Sequence, residues 1–376
     1  MNDDDMQFSR RSFLWSAGGA MVAAPLAAAQ VPHIDLPPLP GEPLRWAVVG
    51  LGRLAVFQIL PAFAASRASR LTGLVSGSPD KARHLAQLYG VDARHIYDYD
   101  SYDSLAEDPE IDLVYVALPN SMHAEYTIRA LRAGKHVLCE KPMANSAPEC
   151  EEMIAAARET GRKLMIAYRL RYEPFNVELI RIARDPAEMG PTRIIEASAG
   201  FSIGDPAQWR LRKAMAGGGS LMDIGIYALN ASRYLTGEEP THVTAMMDST
   251  SGDPRFAEVE ENITFQLRYP SGILANCASS YGVGMNRFRV SKPEGWAELE
   301  PALSYRGLRM RVGRGEVVEQ RPQRVVDHFA AEMDHLSRCV LDGTEPLTPG
   351  EEGLRDMRVI AAIYEAARSG ETVALS

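Results

Sequence analysis

Lys141 lies far along the chain from Asp223 and Tyr227, yet together the three could move a proton at a carbon-bound hydroxyl. Asp223 and Tyr227 follow the run Gly217-Gly218-Gly219-Ser220. In a helix beginning there, two residues four apart share one face, a turn from each other. A phenol and a carboxylate on that face, met by the Lys141 ammonium, form an acid–base group. An ammonium beside Tyr227 favours the phenolate, which can take a hydroxyl proton as hydride leaves the carbon. Lys141 supplies that charge and a hydrogen bond to the reacting oxygen. Asp223 orients a neighbouring substrate hydroxyl or the phenol. The same pair would also serve as a plain helix face with an N-cap.

Departing hydride needs an acceptor, and Trp46–Ala55, WAVVGLGRLA, fits a dinucleotide site. An apolar strand ends in Gly50-Leu51-Gly52-Arg53-Leu54-Ala55, the G-x-G-x-x-G/A fingerprint with Ala55 last. Gly50 permits the sharp turn. Gly52 leaves room for a pyrophosphate, and Ala55 lets the following helix pack close. Helix amides and dipole favour the phosphates. A second strand, Leu71–Val75, ends in Ser76-Gly77-Ser78-Pro79-Asp80-Lys81. No carboxylate stands at its tip to take ribose hydroxyls. Two hydroxyls and Lys81, with Arg83 nearby, suit a 2′-phosphate, so the expected cofactor is NADP; Asp80 is expected on the next helix, facing away.

Strands and helices then alternate. Pro79–Leu88 reads as a helix and Ile111–Leu118 as a buried strand. Leu118-Pro119-Asn120 follows, with Ser121 a candidate cap for a helix to about Ala133. Lys135–Cys139 is a strand ending in Glu140-Lys141-Pro142. A helix from Ala147 to Thr160 leads to the strand Lys163–Ala167. This pattern predicts a parallel, doubly wound α/β sheet with right-handed crossovers. Gly50, Ser76, Asn120, Lys141 and Arg169 all fall at strand carboxyl ends, where such sheets bind ligands.

From Arg193 the pattern changes to hairpin-linked strands, which predicts a largely antiparallel open sheet. These are Arg193–Gly200, His242–Ser249, Glu261–Tyr269, Gly272–Gly282, Asn286–Lys292, Trp296–Glu300 and Leu308–Gln320. One face would carry helices such as Asp223–Leu235, and helices from about Val325 to Leu341 and Glu351 to Arg368 close the chain. The predicted fold class is α/β, a Rossmann domain followed by an α+β domain. The predicted divisions are a signal (1–30), a proline-rich arm (31–43), a nucleotide domain (44–168) and a substrate-binding and oligomerisation domain (169–376).

The glycine loop, Glu140-Lys141-Pro142 and Gly217–Tyr227 together resemble the Gfo/Idh/MocA oxidoreductases. The resemblance is closest to the glucose–fructose oxidoreductase type, extends through Asp205–Arg212 and Gly350–Gly353, and covers nearly all of residues 44–373. It implies oxidation of an aldose at C1 to a lactone. With a tightly held NADP, a second sugar, aldose or ketose, takes the hydride back. An ordinary NAD(P)-dependent sugar or inositol dehydrogenase and a non-catalytic cofactor-binding sensor are the competing readings. The resemblance also implies a cis Lys141–Pro142 bond and cofactor contacts by Trp209 and Arg210. In that reading Arg210 pairs with a phosphate and Trp209 covers the nicotinamide; a core tryptophan and a surface arginine are the alternatives. Tyr168, Arg169 and Tyr172 are expected to face the cleft and bind sugar, or else to pack the domain joint. His123 is either a donor that supports a cofactor-binding residue or a structural histidine. The free face of the second sheet would pair subunits into a dimer or tetramer.

The net charge of −9, with no long basic run, argues against nucleic acid or anionic membrane as main partner. Ser9-Arg10-Arg11-Ser12-Phe13-Leu14, an uncharged stretch and Ala27-Ala28-Ala29 read as a twin-arginine export signal, too short and weakly apolar for a stable span. A start at Met6 would remove the three preceding aspartates. Export of a folded, cofactor-loaded enzyme places it in the periplasm; without a working signal it stays cytoplasmic. Cys139, Cys150, Cys277 and Cys339 show neither metal spacing nor a disulfide framework, and are expected reduced and mostly buried.

Overall fold

The computed structural model describes residues 42–375. The export signal and the arm through residue 41 lie outside the described residues. Among those described, no helix is long and apolar enough to cross a membrane.

Six parallel strands form the first sheet: β1 (Leu44–Val49), β2 (Ser69–Val75), β3 (Ile96–Tyr97), β4 (Leu113–Val116), β5 (His136–Glu140) and β6 (Leu164–Ala167). Their order is β3-β2-β1-β4-β5-β6. All four residues of β4 are buried, as befits a strand covered on both faces. The order switches direction between β1 and β4, and that is where the glycine turn sits. Gly50 has φ +89°, and a Cβ there would stand 2.5 Å from the Ala117 carbonyl oxygen. At Gly52 a Cβ would meet nothing, so the loop faces open space. After the turn the chain is helical as a π-turn, Ala55–Ile59, followed by a single α-turn, Leu60–Ala62. Pro61 has no N–H for the α-helical ladder, and the Leu60 N–H reaches back to Ala55 instead. Ser121 is not a cap. A 3₁₀ turn, Asn120–Met122, precedes the helix His123–Arg132, which has no side-chain cap bond.

The second sheet comprises β7 (Ile194–Gly200), β8 (His242–Asp248), β9 (Asn262–Arg268), β10 (Leu274–Ser280), β11 (Met285–Lys292), β12 (Gly295–Leu299), β13 (Met310–Arg314), β14 (Val317–Gln320) and β15 (Val373–Ala374). Its order is β14-β13-β12-β11-β7-β10-β9-β8-β15. Every neighbouring pair is antiparallel except β7 with β10. Strand β9 alternates strictly between exposed and buried residues, so one face is core and the other open. Helices Pro174–Arg184 and Ile226–Thr236 pack on the core face, against β12 and β7 respectively. The four cysteines are free and buried.

The chain does not divide cleanly at residue 168. Helix His328–Asp342 returns to the first sheet, where Phe329, Ala330, Met333 and Leu336 share a core with Trp46, Val48 and Leu74. Trp46 Nε1 donates to Ser337 Oγ at 3.0 Å, and Asp334 accepts the Arg67 and Ala68 N–H groups at 2.9 and 2.8 Å. A second tie is ionic. Asp356, fully buried on helix Gly350–Ser369, accepts from Tyr168 Oη at 2.6 Å and Asn230 Nδ2 at 3.0 Å and pairs with Arg233. Helix Ile226–Thr236 and the end of β6 are thereby locked to one carboxylate.

Replacing Tyr168 by Phe removes one donor from that buried carboxylate, which costs about 1–3 kcal/mol. Denaturant unfolding should show this loss. Parent-like stability would mean the hydroxyl contributes nothing to the joint.

Candidate active site

The chain brings the three expected residues together. Asp223 lies in a π-turn, Leu221–Gly225, and Tyr227 in the first turn of helix Ile226–Thr236. The sequence predicted one continuous helix; the wider turn precedes it because the chain enters pressed against other groups. A Cβ on Gly219 would fall 2.1 Å from the Glu260 carbonyl oxygen. The Glu260 carboxylate accepts from the N–H groups of Gly219 and Leu221 at 2.8 and 2.9 Å and from Tyr364 Oη at 3.0 Å. It satisfies amides that the turn leaves open. Nothing in the sequence near Glu260 signals this role.

Lys141 reaches the site from the end of β5, through a cis Lys141–Pro142 bond. Its Nζ donates to the Asp223 carbonyl at 2.6 Å, lies 3.5 Å from Asp223 Oδ1, and sits 4.8 Å from the centre of the Tyr227 ring. Burial works against the ammonium, but Tyr227, Asp223 and Glu140 outweigh it and raise the Lys141 pKa. Burial likewise opposes the Asp223 carboxylate; Arg210, Lys141 and a hydrogen bond from Tyr281 outweigh it and lower the pKa. Arg210 Nε and Tyr281 Oη donate to Asp223 Oδ2 at 3.0 and 3.1 Å. The geometry therefore gives a charged lysine and a charged aspartate at neutral pH. Asp223 is held by cations and a phenol, and it makes no hydrogen bond to Tyr227.

The hydroxyl of Tyr227 meets Arg169 instead, whose Nε donates to it at 3.2 Å. Arg169 is 5% exposed and stacks between rings, 5.2 Å from the centre of Tyr227 and 4.6 Å from that of Tyr305. One of its nitrogens donates to the Leu303 carbonyl at 2.6 Å. His328 lies beside it and is held neutral, its pKa lowered to about 3 by burial and by the Arg169 charge. Tyr305 is 45% exposed, an open aromatic face at the edge of this cluster. Tyr281, Tyr305 and His328 were not singled out in the sequence, because they lie on strands, loops and a helix far from every motif.

Other expected site residues sit differently. Tyr168 and Tyr172 do not face the cleft. Tyr168 is buried against Asp356, and the Tyr172 hydroxyl packs by Met165 and Thr348, so both pack the domain joint. His123 is 1% exposed and touches no open space; its ring nitrogens stand 2.8 Å from the Pro142 and Leu118 carbonyls, pinning two loop ends. Asn120 is buried and donates to the Ala216 carbonyl at 2.9 Å, tying the β4 loop to the glycine run. Arg210 pairs with Asp223 rather than standing free for a phosphate, and its guanidinium stacks 4.5 Å from the Trp209 ring.

The residues expected to face the nucleotide follow the carboxyl ends of β1, β2, β4 and β5. Gly52 is open, Leu51 is buried beneath it, and exposed Arg53 stacks over Phe57. Leu54 leads into the π-turn, with helical backbone. Leu118 packs against Gly50, and Pro119 opens the following turn. At the β2 tip Ser76 Oγ accepts the Ser78 N–H at 3.1 Å, and Gly77 lies against the Tyr99 ring. Lys81 is exposed on the following helix, while Asp80 projects into solvent and pairs with Arg83. No carboxylate occupies the strand tip. Glu140 is buried and accepts from Tyr115 Oη at 2.9 Å and from the Lys141 N–H at 3.2 Å.

Comparisons with known proteins agree with this arrangement. Residues 44–168 match the model of the oxidoreductase family with an NAD-binding Rossmann fold, and residues 180–298 match the GFO/IDH/MocA C-terminal domain. The crystal structure of aldose-aldose oxidoreductase from Caulobacter crescentus, complexed with glycerol, is 53% identical. It has a TM-score of 0.87, covering 89% of this chain and 100% of that one. D-xylose 1-dehydrogenase [NADP(+)] from Haloarcula marismortui is 33% identical over 346 residues, 89% of this chain and 94% of that protein. A 3-ketoreductase from Actinomadura kijaniata, in complex with NADP and TDP-benzene, is 25% identical with a TM-score of 0.75, covering 86% and 98% of the two chains. With both domains matched and the lysine, aspartate and tyrosine gathered at the glycine-loop end of the sheet, the chain belongs to the Gfo/Idh/MocA oxidoreductase family.

Proposed function

We propose that this protein is an NADP-dependent sugar oxidoreductase. It oxidises an aldose at C1 to the aldonolactone, keeps its nucleotide, and returns the hydride to a second sugar, which leaves as an alditol. The observation that carries the reading is the convergence of Asp223 and Tyr227 on Lys141, which follows β5 at the same carboxyl end of the parallel sheet as the open glycine turn after β1. The 53% identity to an aldose-aldose oxidoreductase supports the sugar-to-sugar form.

NADP, when bound, supplies the hydride acceptor. Tyr227 takes the proton of the C1 hydroxyl as the C1 hydrogen departs with its electron pair. Lys141 and Arg169 stabilise the negative charge that passes through the phenol oxygen. Lys141 also donates to the sugar oxygen, and Asp223 fixes Lys141. In the return step Tyr227 gives its proton to the carbonyl oxygen of the second sugar. Tyr305 offers the C–H face of a sugar an aromatic surface. The intact Lys141, Asp223 and Tyr227 speak against a sensor without turnover. The likeness to NADP-dependent xylose dehydrogenase favours one second reading, an ordinary dehydrogenase that releases its nucleotide each cycle.

Export through the twin-arginine signal to the periplasm fits a retained nucleotide, since no NADP pool is replenished there. Pairing through the open face of the second sheet, into a dimer or tetramer, suits its polar and apolar residues Glu196, Arg287, Ile194 and Leu274.

Three outcomes test this function. An aldose deuterated at C1, mixed with a second sugar and no added nucleotide, should pass its deuterium to the alditol; transfer that begins only after NADP is added, with the deuterium ending in the free nucleotide, would favour the ordinary dehydrogenase. Tyr227→Phe should lower kcat by about 10²–10⁴-fold with nucleotide still bound. A parent-like rate would remove the phenol from the chemistry. Ser76→Asp should move preference from NADP toward NAD, because a carboxylate repels the 2′-phosphate; an unchanged preference would contradict the assignment of the β2 tip.

A further inference from the structure

A second acid lies beneath the site. Glu332, on helix His328–Asp342, is fully buried. Its Oε1 is 3.1 Å from the Tyr115 hydroxyl, and its Oε2 has no hydrogen-bond partner among the described residues. Tyr115 is itself fully buried and also lies 2.9 Å from Glu140 Oε1. Two carboxyl groups thus flank one phenol.

The count of hydrogens decides the chemistry. A phenol carries one hydrogen and can donate to one carboxylate only. The second contact becomes a hydrogen bond only if that carboxyl group carries a proton and donates to the phenol oxygen. Glu140 is the natural anion, because its other oxygen accepts the Lys141 N–H at 3.2 Å. Glu332 Oε2 has no donor among the described residues, and an ionised carboxylate left so in a fully buried site is strongly disfavoured. We propose that Glu332 is a positioning residue that stays protonated, donating to Tyr115, which donates to Glu140. In this way one negative charge, not two, underlies Lys141 and Arg169.

The surrounding groups agree. Burial raises both acids, but Lys141 pulls Glu140 back, whereas Glu140 pushes Glu332 further up. Arg169 works the other way on Glu332, and Asp327 adds to the upward push. Tyr172, from the loop after β6, and His328 and Asp327, from the same helix, complete the charged and titratable surroundings. With Glu332 neutral, the cations Lys141, Arg169 and Arg210 outnumber the anions Asp223 and Glu140. Ionising Glu332 would cancel that excess beneath the oxygen that receives the substrate proton. The protonation state stands on geometry; its effect on turnover rests on the function proposed above.

The test uses the full chain and Glu332→Gln, which keeps a donor to Tyr115 without a titrating proton. The infrared difference spectrum at neutral pH should show loss of a protonated carboxylic-acid C=O stretch that shifts in D2O. Loss of carboxylate bands alone would overturn the proposal. Should that variant not fold, Tyr115→Phe should move the same acid band as its partner disappears; a spectrum with no acid band would overturn it. Stability gives a second readout. A carboxyl whose folded pKa is raised contributes stability fully present below its unfolded pKa and lost as pH rises through the folded value. From about pH 5 to about pH 8, the parent Tm should therefore fall relative to that of Glu332→Gln. A gap independent of pH would contradict the proposal. In turnover, any alkaline fall of kcat due to Glu332 ionisation should vanish in the Gln variant while KM holds. Neither of the first two readouts uses a substrate, so a protein inert toward every sugar would overturn the function and leave them intact.

Discussion

Everything in the site depends on keeping the Lys141 ammonium charged where water is nearly absent. Its side chain is 11% exposed and that of Asp223 16%. Burial alone would strip the proton from one and add it to the other. The pair survives because each charge has more than one partner. Lys141 has the Asp223 carbonyl and carboxylate and the Tyr227 ring; Asp223 has Arg210 and Tyr281 besides. Removing one partner from such a set leaves a buried charge uncompensated, which is why the surrounding fold is so heavily cross-braced.

The bracing comes from both domains. Lys141 arrives from a strand of the parallel sheet, Asp223 and Tyr227 from the second domain. His123, Asn120 and Glu260 fix the loops that carry them, all by hydrogen bonds to backbone. Helix His328–Asp342 crosses back to the first sheet and brings Phe329 and His328 against Arg169. Asp356 locks Tyr168 to the helix that carries Tyr227, and Tyr168 is the immediate neighbour of Arg169. The geometry at the phenol is thus set by contacts some distance along the chain from it.

Much of this was legible in the sequence where local chemistry is strong. The glycine turn, the strand–helix alternation, the hairpin strands and the Lys141–Asp223–Tyr227 set each have short-range signatures, and all appear in the folded chain. For Tyr168 and Tyr172 the sequence leaves cleft and domain joint equally open; the buried Asp356 and the packing at Met165 and Thr348 decide for the joint. Arg210 looked free for a phosphate, since its partner Asp223 is thirteen residues away in sequence and meets it only after folding. Tyr281, Tyr305 and Glu332 carry no motif at all. Their roles arise from long-range packing, which residue spacing does not encode.

In the proposed function a buried acid–base group serves a nucleotide that stays with the protein. The most direct measurement is the absorbance spectrum of the purified, dialysed protein before and after a single addition of aldose, followed by a second sugar. The expected result is bound NADP in stoichiometric amount, reduced by the first sugar and reoxidised by the second with no nucleotide added. A protein that emerges empty, and turns over only with external NADP, would contradict it.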